Sequence, residues 1–290
     1  MNQEWAIDPA CAETGAEFRM LASHLGFTEG VLVSKFPSDW VSRAYHSAAK
    51  LNEPEKTRVC ERIRRIKDSG AILPSGRNFD NQMDWVANAR HQHEATPFDE
   101  VVTKEASPGC RSISEIDSFD WSTARGARRS GTCANFVSIL CPLLRVSSTV
   151  ILLDPYFAPG RRENRQLFNE VLGLAFNAKC KEFVIYVRAD NWSYRRENCE
   201  YELKKLLAVT WEGTRRITVV CFDDSDPESK QHARYIFSER GGVRLDKGLQ
   251  VDKAQVDFSI IEMPVHDDLM KSYVDRPLAL VVDYRVSFLT

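Results

Sequence analysis

Apolar and polar positions follow two regimes along this 290-residue chain, and the period changes near residue 115. In the first stretch the spacing is helical. Phe18, Leu21, Ala22 and Leu25 recur at one-turn intervals between Ala12 and Leu25, and Trp40 to Leu51 repeats the pattern. Asn52 followed by Pro54 is a helix start and Gly70 a stop, with Val59, Ile63 and Ile66 as a narrow apolar stripe between them. Asn78 to Val102 carries Met83, Trp85, Val86, Ala89 and Phe98, which predict a helix and then a turn at Thr96-Pro97. Gly30 to Phe36, closed by Pro37-Ser38-Asp39, reads as a short strand. Residues 1–115 are therefore expected to form a mostly helical accessory or interaction domain. Lys104 to Ser114 has no period and carries Ser, Pro and Gly, so a boundary is placed there and a second domain at 116–290.

Beyond it the chain alternates in the α/β manner. Asn135 to Leu144 is an apolar helix disturbed by Pro142, and Ser147 to Phe157 is a strand with no charge before Asp154, as expected when both faces are covered. An amphipathic helix at Asn164 to Ala178, a strand at Glu182 to Val187, a helix at Asn198 to Trp211 and a strand at Arg216 to Phe222 follow. After the acidic turn Asp223-Asp224-Ser225-Asp226-Pro227, Gln231 to Ser238 reads as a strand, then Glu239-Arg240-Gly241-Gly242 as a turn and Val243 to Leu245 as extended. Val256 to Glu262 is a strand, His266 to Val274 a short helix, and Leu278 to Phe288 a last strand or two. This order implies an α/β domain, a mixed sheet with helices on both sides.

Composition narrows the picture little. Hydrophobic residues at 43% and charged ones at 28% are ordinary for a globular protein. A net charge of -2 makes no global electrostatic case for nucleic acid or membrane. The eight cysteines form no CxxC pair and no zinc-ligand spacing, and Cys141, Cys180 and Cys221 read as buried free thiols. No apolar run reaches the roughly 18 residues of a membrane span, and Met1 is followed by polar residues, so a cytoplasmic protein is expected. His91 and His93, two apart, do not share a helix face, and neither metal nor cofactor is expected. The basic stretch between Lys56 and Lys67 reads as a solvated face balanced by Glu53, Glu55 and Glu61, ahead of a contact to a phosphate backbone. Arg125 to Gly131 reads as a basic surface loop before a helix starting near Thr132, with phosphate holding through its glycines as the alternative.

The candidate chemistry lies in Gln231 to Gln250. On a strand, His232 and Arg234 would face the same way, and an imidazole beside a guanidinium suits a phosphoryl group. The same two residues, with Glu239, could equally form a satisfied polar patch on a sheet edge. The run His232-Ala233-Arg234-Tyr235-Ile236-Phe237-Ser238-Glu239 resembles the phospholipase D superfamily signature of histidine, one residue, lysine, four residues, aspartate. Here arginine stands for the lysine and glutamate for the aspartate. Gly241-Gly242 and Lys247-Gly248-Leu249 replace the downstream Gly-Ser-x-x-Asn, and this tail resembles a divergent single-motif branch. That branch includes the phospholipase-D-like domain at the C-terminus of some MIT-domain proteins and bacterial relatives.

The resemblance covers 116–290 and implies a phospholipase-D-like mixed sheet flanked by helices. It also implies a metal-independent phosphodiesterase, most expectedly a nuclease in a setting such as bacterial defence against foreign DNA, acting through His232 in a homodimeric site. His232, Arg234 and Glu239 are the implied catalytic residues, with Arg234 on the phosphate. By position, Arg188 and Tyr156 near strand ends are expected to line the same cleft as phosphate contacts, with Lys247 and Arg244 adding positive potential if the Gly241-Gly242 turn folds back. In the eukaryotic members the fold is associated with membrane-lipid binding instead. The alternative is therefore an inactive module that binds phosphate-bearing nucleic acid or lipid headgroups and recruits partner proteins. Nucleic acid is the expected partner ahead of membrane lipid, and a partner protein such as an ATPase is left open.

Overall fold

The computed structural model describes residues 2–119, 121, 125–209, 211, 215–223, 232–275 and 281–290. The chain divides into two compact units, Met1–Arg125 and Gly126–Thr290. The division falls ten residues beyond the expected 115/116 boundary. The reason is local: Ile113, Ile116 and Phe119 are buried, and Phe119 packs edge-on against Trp5 at 5.8 Å in the first unit.

The first unit contains the strands β1 (Gln3–Ile7), β2 (Val31–Lys35), β3 (Ile72–Pro74), β4 (Glu100–Thr103) and β5 (Arg111–Ser112). Among them run the helices α1 (Ala16–Ser23), α2 (Trp40–Ala48), α3 (Glu53–Asp68) and α4 (Trp85–Ala95). More of this unit is helix than strand, as expected, but its frame is a parallel sheet in the order β3-β2-β1-β4-β5. The hydrophobic pattern shows only β2. The other strands are two to five residues long, too short to establish a period, and β1 opens on two polar residues.

Helix α3 forms where its punctuation places it. The Asn52 side chain accepts from the Glu55 N–H at 3.2 Å, and Val59, Ile63 and Ile66 are buried. Its basic face is laced by Arg58–Glu55, Arg64–Glu61 and Arg65–Glu61 pairs at 3.5, 3.0 and 3.2 Å, a solvated surface. His93 in α4 has a structural role, since its Nδ1 accepts from the Phe98 N–H at 3.2 Å.

The second unit is an α/β fold on one eight-stranded mixed sheet. Its strands are β6 (Gly126–Gly131), β7 (Thr149–Leu153), β8 (Glu182–Arg188), β9 (Arg216–Asp223), β10 (Tyr235–Ser238), β11 (Gly241–Leu245), β12 (Asp252–Ile260) and β13 (Val281–Leu289). Their order is β13-β9-β8-β7-β10-β11-β12-β6, with β7, β8 and β9 parallel and the other pairings antiparallel. Helices α5 (Cys133–Val146), α6 (Arg162–Phe176), α7 (Cys199–Leu206) and α8 (Met263–Met270) complete the unit.

Strand alternation buries both faces of the sheet centre. Ile151, Leu153, Val184, Tyr186, Val220, Phe222 and Phe237 form one cluster with Leu269 of α8. On the opposite side Phe183 meets Phe168 of α6 edge-on at 6.3 Å. The basic stretch expected as a loop is instead the edge strand β6, paired with β12 from Gly126↔Ser259 to Gly131↔Asp252. A Cβ at Gly131 would lie 2.8 Å from the Asp252 carbonyl oxygen, so its glycine serves strand pairing. Helix α7 stops at Leu206, well short of the expected Trp211. The expected acidic turn from Asp224 to Pro227, and Gln231, lie outside the described residues.

Candidate functional site

The register between β7 and β10 builds the site. The two strands are antiparallel, with Tyr235 opposite Leu153 and Ser238 opposite Val150. Residues just before β10 therefore lie beside residues just after β7, which brings His232 and Arg234 to Asp154 and Tyr156. Both precede the strand rather than belonging to it, because ladder pairing to β7 begins only at Tyr235, although the Arg234 carbonyl still accepts from the Leu245 N–H at 2.8 Å. Strand β8, parallel to β7, adds Arg188 at its own C-terminal end.

Tyr156 is the meeting point. Its hydroxyl is hydrogen-bonded to His232 Nδ1 at 3.0 Å. The guanidinium carbons of Arg234 and Arg188 lie 4.8 and 5.2 Å from its ring centroid, within cation–π range. The His232 imidazole is exposed to solvent, and among the described residues its Nε2 has no hydrogen-bond partner.

Asp154 anchors the floor. Its carboxylate, 4% exposed, accepts from the Tyr156 N–H and the Leu249 N–H, both at 3.0 Å, and lies 3.7 Å from Arg234 Nε. Burial pushes its carboxyl up from the ordinary range, opposed by those two backbone donors and by the Arg234 charge. Arg234 Nη1 donates to the Asp246 carbonyl, while buried Nε makes no hydrogen bond among the described residues. The guanidinium is thus held through Nη1, beside the Asp154 carboxylate.

Gly248 makes the close approach possible. Its φ is +73°, and a Cβ there would fall 2.1 Å from Asp154 Oδ2 and 2.8 Å from Arg234 Cδ. The Gly248-Leu249 pair of the motif tail thus closes the turn onto Asp154 with a backbone N–H.

Glu239, Lys247, Arg188 and Arg244 stand differently from the expectation. Glu239 sits at the far end of β10, accepting from Ser148 N and Oγ at 2.8 and 2.9 Å and from Thr149 N at 3.3 Å. Five residues of extended chain put it about 16 Å from Arg234, so it caps the start of β7 and cannot orient His232. Lys247 lies on the turn that holds Arg234, but its ammonium is taken by Asp252 at 2.8 Å. Arg188 does reach Tyr156, with its charge spent on a bidentate pair to Asp190 at 2.6 and 2.7 Å. Arg244 is exposed on β11, opposite Ser259.

Sequence reasoning did not count Asp154 and Gly248 as site residues. The available signal was a lone carboxylate ending an uninterrupted apolar strand, and a glycine two residues after an aspartate in a turn. Neither names its partner, because β7 and the motif tail meet only through the sheet.

No family model matches the chain, and no curated protein matches it. Among solved structures it is similar to TrmBL2, an archaeal chromatin protein whose structure shows a novel mode of DNA binding. Identity is 11% and the TM-score 0.32, over 84% of this chain and 82% of that one. A likeness at that level carries no argument about this chain. Among the described residues no helix is long and apolar enough to cross a membrane, and no group of three or more His, Cys, Asp or Glu side chains could hold a metal ion.

Proposed function

We propose that the site at the end of β7 handles a phosphodiester, and that the protein is a metal-independent phosphodiesterase acting on nucleic acid through His232. The observation that carries this reading is the exposed His232 imidazole, oriented by Tyr156, beside an Arg234 guanidinium fixed by Asp246 and Asp154. For Nε2 to be the nucleophile, Nδ1 carries the proton and donates to the Tyr156 oxygen. Nε2 then attacks phosphorus as the P–O bond to the leaving alcohol breaks, and Arg234 neutralises the non-bridging oxygens. The leaving oxygen needs a proton, and one motif supplies one histidine. The proton donor in this reading is His232 of a second copy, which makes the working form a homodimer closed across the motif face. Water then breaks the P–N bond and restores both histidines.

A second reading is favoured by the ion pairs. Arg188 and Lys247 are neutralised by Asp190 and Asp252, and Glu239 lies elsewhere, an arrangement that suits binding a phosphate better than turning it over. One experiment separates the two. Labelled single-stranded DNA, duplex DNA and RNA are incubated in excess EDTA with the protein and with His232→Ala. Cleavage in EDTA that disappears in the variant supports the phosphodiesterase. Retained binding without cleavage, in both proteins, supports the binding module. Cleavage equal in both overturns the role given to His232.

A further inference from the structure

A cleft of about 520 Å³ opens beside Tyr156. Its lining comes from two segments, 156–161 after β7 and 191–194 after β8, with Gln250 from the motif tail. Tyr156 is therefore shared, hydrogen-bonded to His232 through its hydroxyl and also lining the cleft.

The walls are aromatic. Tyr156 and Tyr194 are the half-buried rings of the cleft. Tyr194 meets Trp192 at a right angle with ring centroids 5.0 Å apart, and buried Trp192 and Phe157, 6.4 Å apart, back the wall. The side chains of Asn191 and Gln250 also line the cleft, as does exposed Arg161. The Asn191 Nδ2 is committed to the Pro155 carbonyl at 3.1 Å, which fixes the direction of its oxygen.

The cleft is also preformed. The N–H groups of Asn191 and Trp192 both donate to the Arg188 carbonyl at 3.1 Å, and the Tyr284 hydroxyl of β13 donates to the Tyr194 carbonyl. The Tyr194 hydroxyl lies against Gly160, where a Cβ would come within 2.9 Å of it. A binding wall held this way loses little freedom when a ligand arrives.

We propose that this cleft holds the base of the nucleotide whose phosphate Arg234 binds, so that the ligand of the site is a single-stranded nucleic acid. The inference rests on the phosphate reading above and names the substrate within it. Aromatic rings accept the face of any base, and side-chain amides pair with base edges. A volume of this size accommodates a nucleotide. A lipid's acyl chains call for a continuous apolar groove, whereas here polar Asn191, Ser193, Gln250 and Arg161 share the lining. A paired base is held in its stack, so a duplex must first open to fill the cleft.

The test measures binding, by fluorescence anisotropy, of a labelled oligodeoxynucleotide, a fully abasic strand of the same length, its duplex, and vesicles of phosphatidylcholine with phosphatidylglycerol. The natural strand is expected to bind about tenfold more tightly than the abasic one, the worth of one stacked base. Tyr194→Ala is expected to bring the natural strand down to the abasic level without affecting the abasic strand, and Tyr194→Phe, which keeps the ring, to retain the difference. Equal binding of natural and abasic strands, both lost in Arg234→Ala, overturns the base pocket while leaving the phosphate site standing. Strand binding that survives Arg234→Ala overturns the phosphate site itself. Vesicle binding of similar strength that Tyr194→Ala weakens assigns the cleft to a lipid and overturns the proposal.

Discussion

Substituting Gly248 by alanine tests the construction of the site without assuming any activity. The new Cβ would fall 2.1 Å from Asp154 Oδ2 and 2.8 Å from Arg234 Cδ, on a backbone with φ of +73°. The left-handed conformation costs a non-glycine residue about 1–2 kcal/mol. The carboxylate cannot swing into water to relieve the contact, because it is 4% exposed and tied to two backbone N–H groups. Breaking the bond from Leu249 N–H to that charge adds about 1.5–3 kcal/mol. Gly248→Ala should therefore destabilise the second unit by about 2.5–5 kcal/mol, a large share of a domain's usual margin.

Urea denaturation followed by tryptophan fluorescence gives the number, provided the slope is unchanged. Gly173→Ala is the control in the same unit. That glycine is in α6, where an added Cβ would meet nothing within 4 Å, so alanine should stabilise by about 0.5–1 kcal/mol through helix propensity. Opposite signs for the same chemical change follow from backbone and neighbours alone. If Gly248→Ala falls within about 0.5 kcal/mol of wild type, the Asp154–Leu249 closure is not what holds the turn.

Two further outcomes follow from titration. The Asp154 carboxyl is raised by burial, so its contribution to stability is full below the unfolded value and is lost as pH rises through the folded one. The stability difference between wild type and Asp154→Asn, measured by denaturation from about pH 4 to about pH 7, should shrink as pH rises, and a difference that grows would contradict the burial argument. Among the thiols, burial pushes Cys180 up to about 12 and Cys221 up to about 11, and Cys11 and Cys199 are raised and buried as well. Alkylation of the folded protein followed by peptide mass mapping should label half-buried Cys60 and Cys110 long before these four, and early modification of Cys180 would refute the packing around β7 and β8.

How much of this was legible in the chain is uneven for physical reasons. Helix α3 could be read because Asn52, Pro54 and Gly70 are local signals whose partners lie within a turn. Strands β7, β8 and β9 could be read because burial on both faces demands an unbroken apolar run. The thiols were legible in part: Cys180 and Cys221 are buried as their apolar neighbours implied, whereas Cys141 is half-buried. Strands β1, β3, β4 and β5 could not be read, since a few residues show no period and their stability comes from lateral pairing.

The site divides along the same line. His232, Arg234 and Tyr156 could be chosen from the sequence as chemistry, and the tertiary structure brings them together. Glu239 entered the site through the motif resemblance: its spacing from Arg234 gives a separation along a strand but not which end of that strand meets Asp154. Only the antiparallel register of β10 against β7 decides that: it carries Arg234 to Asp154 at one end and Glu239 to Ser148 at the other. Likewise Lys247 and Arg188 were right as cations and incomplete as contacts, because Asp252 and Asp190 take up their charge. Residue type and local spacing are properties of the chain, but burial, pairing and the end of a strand on which a side chain emerges are properties of the sheet.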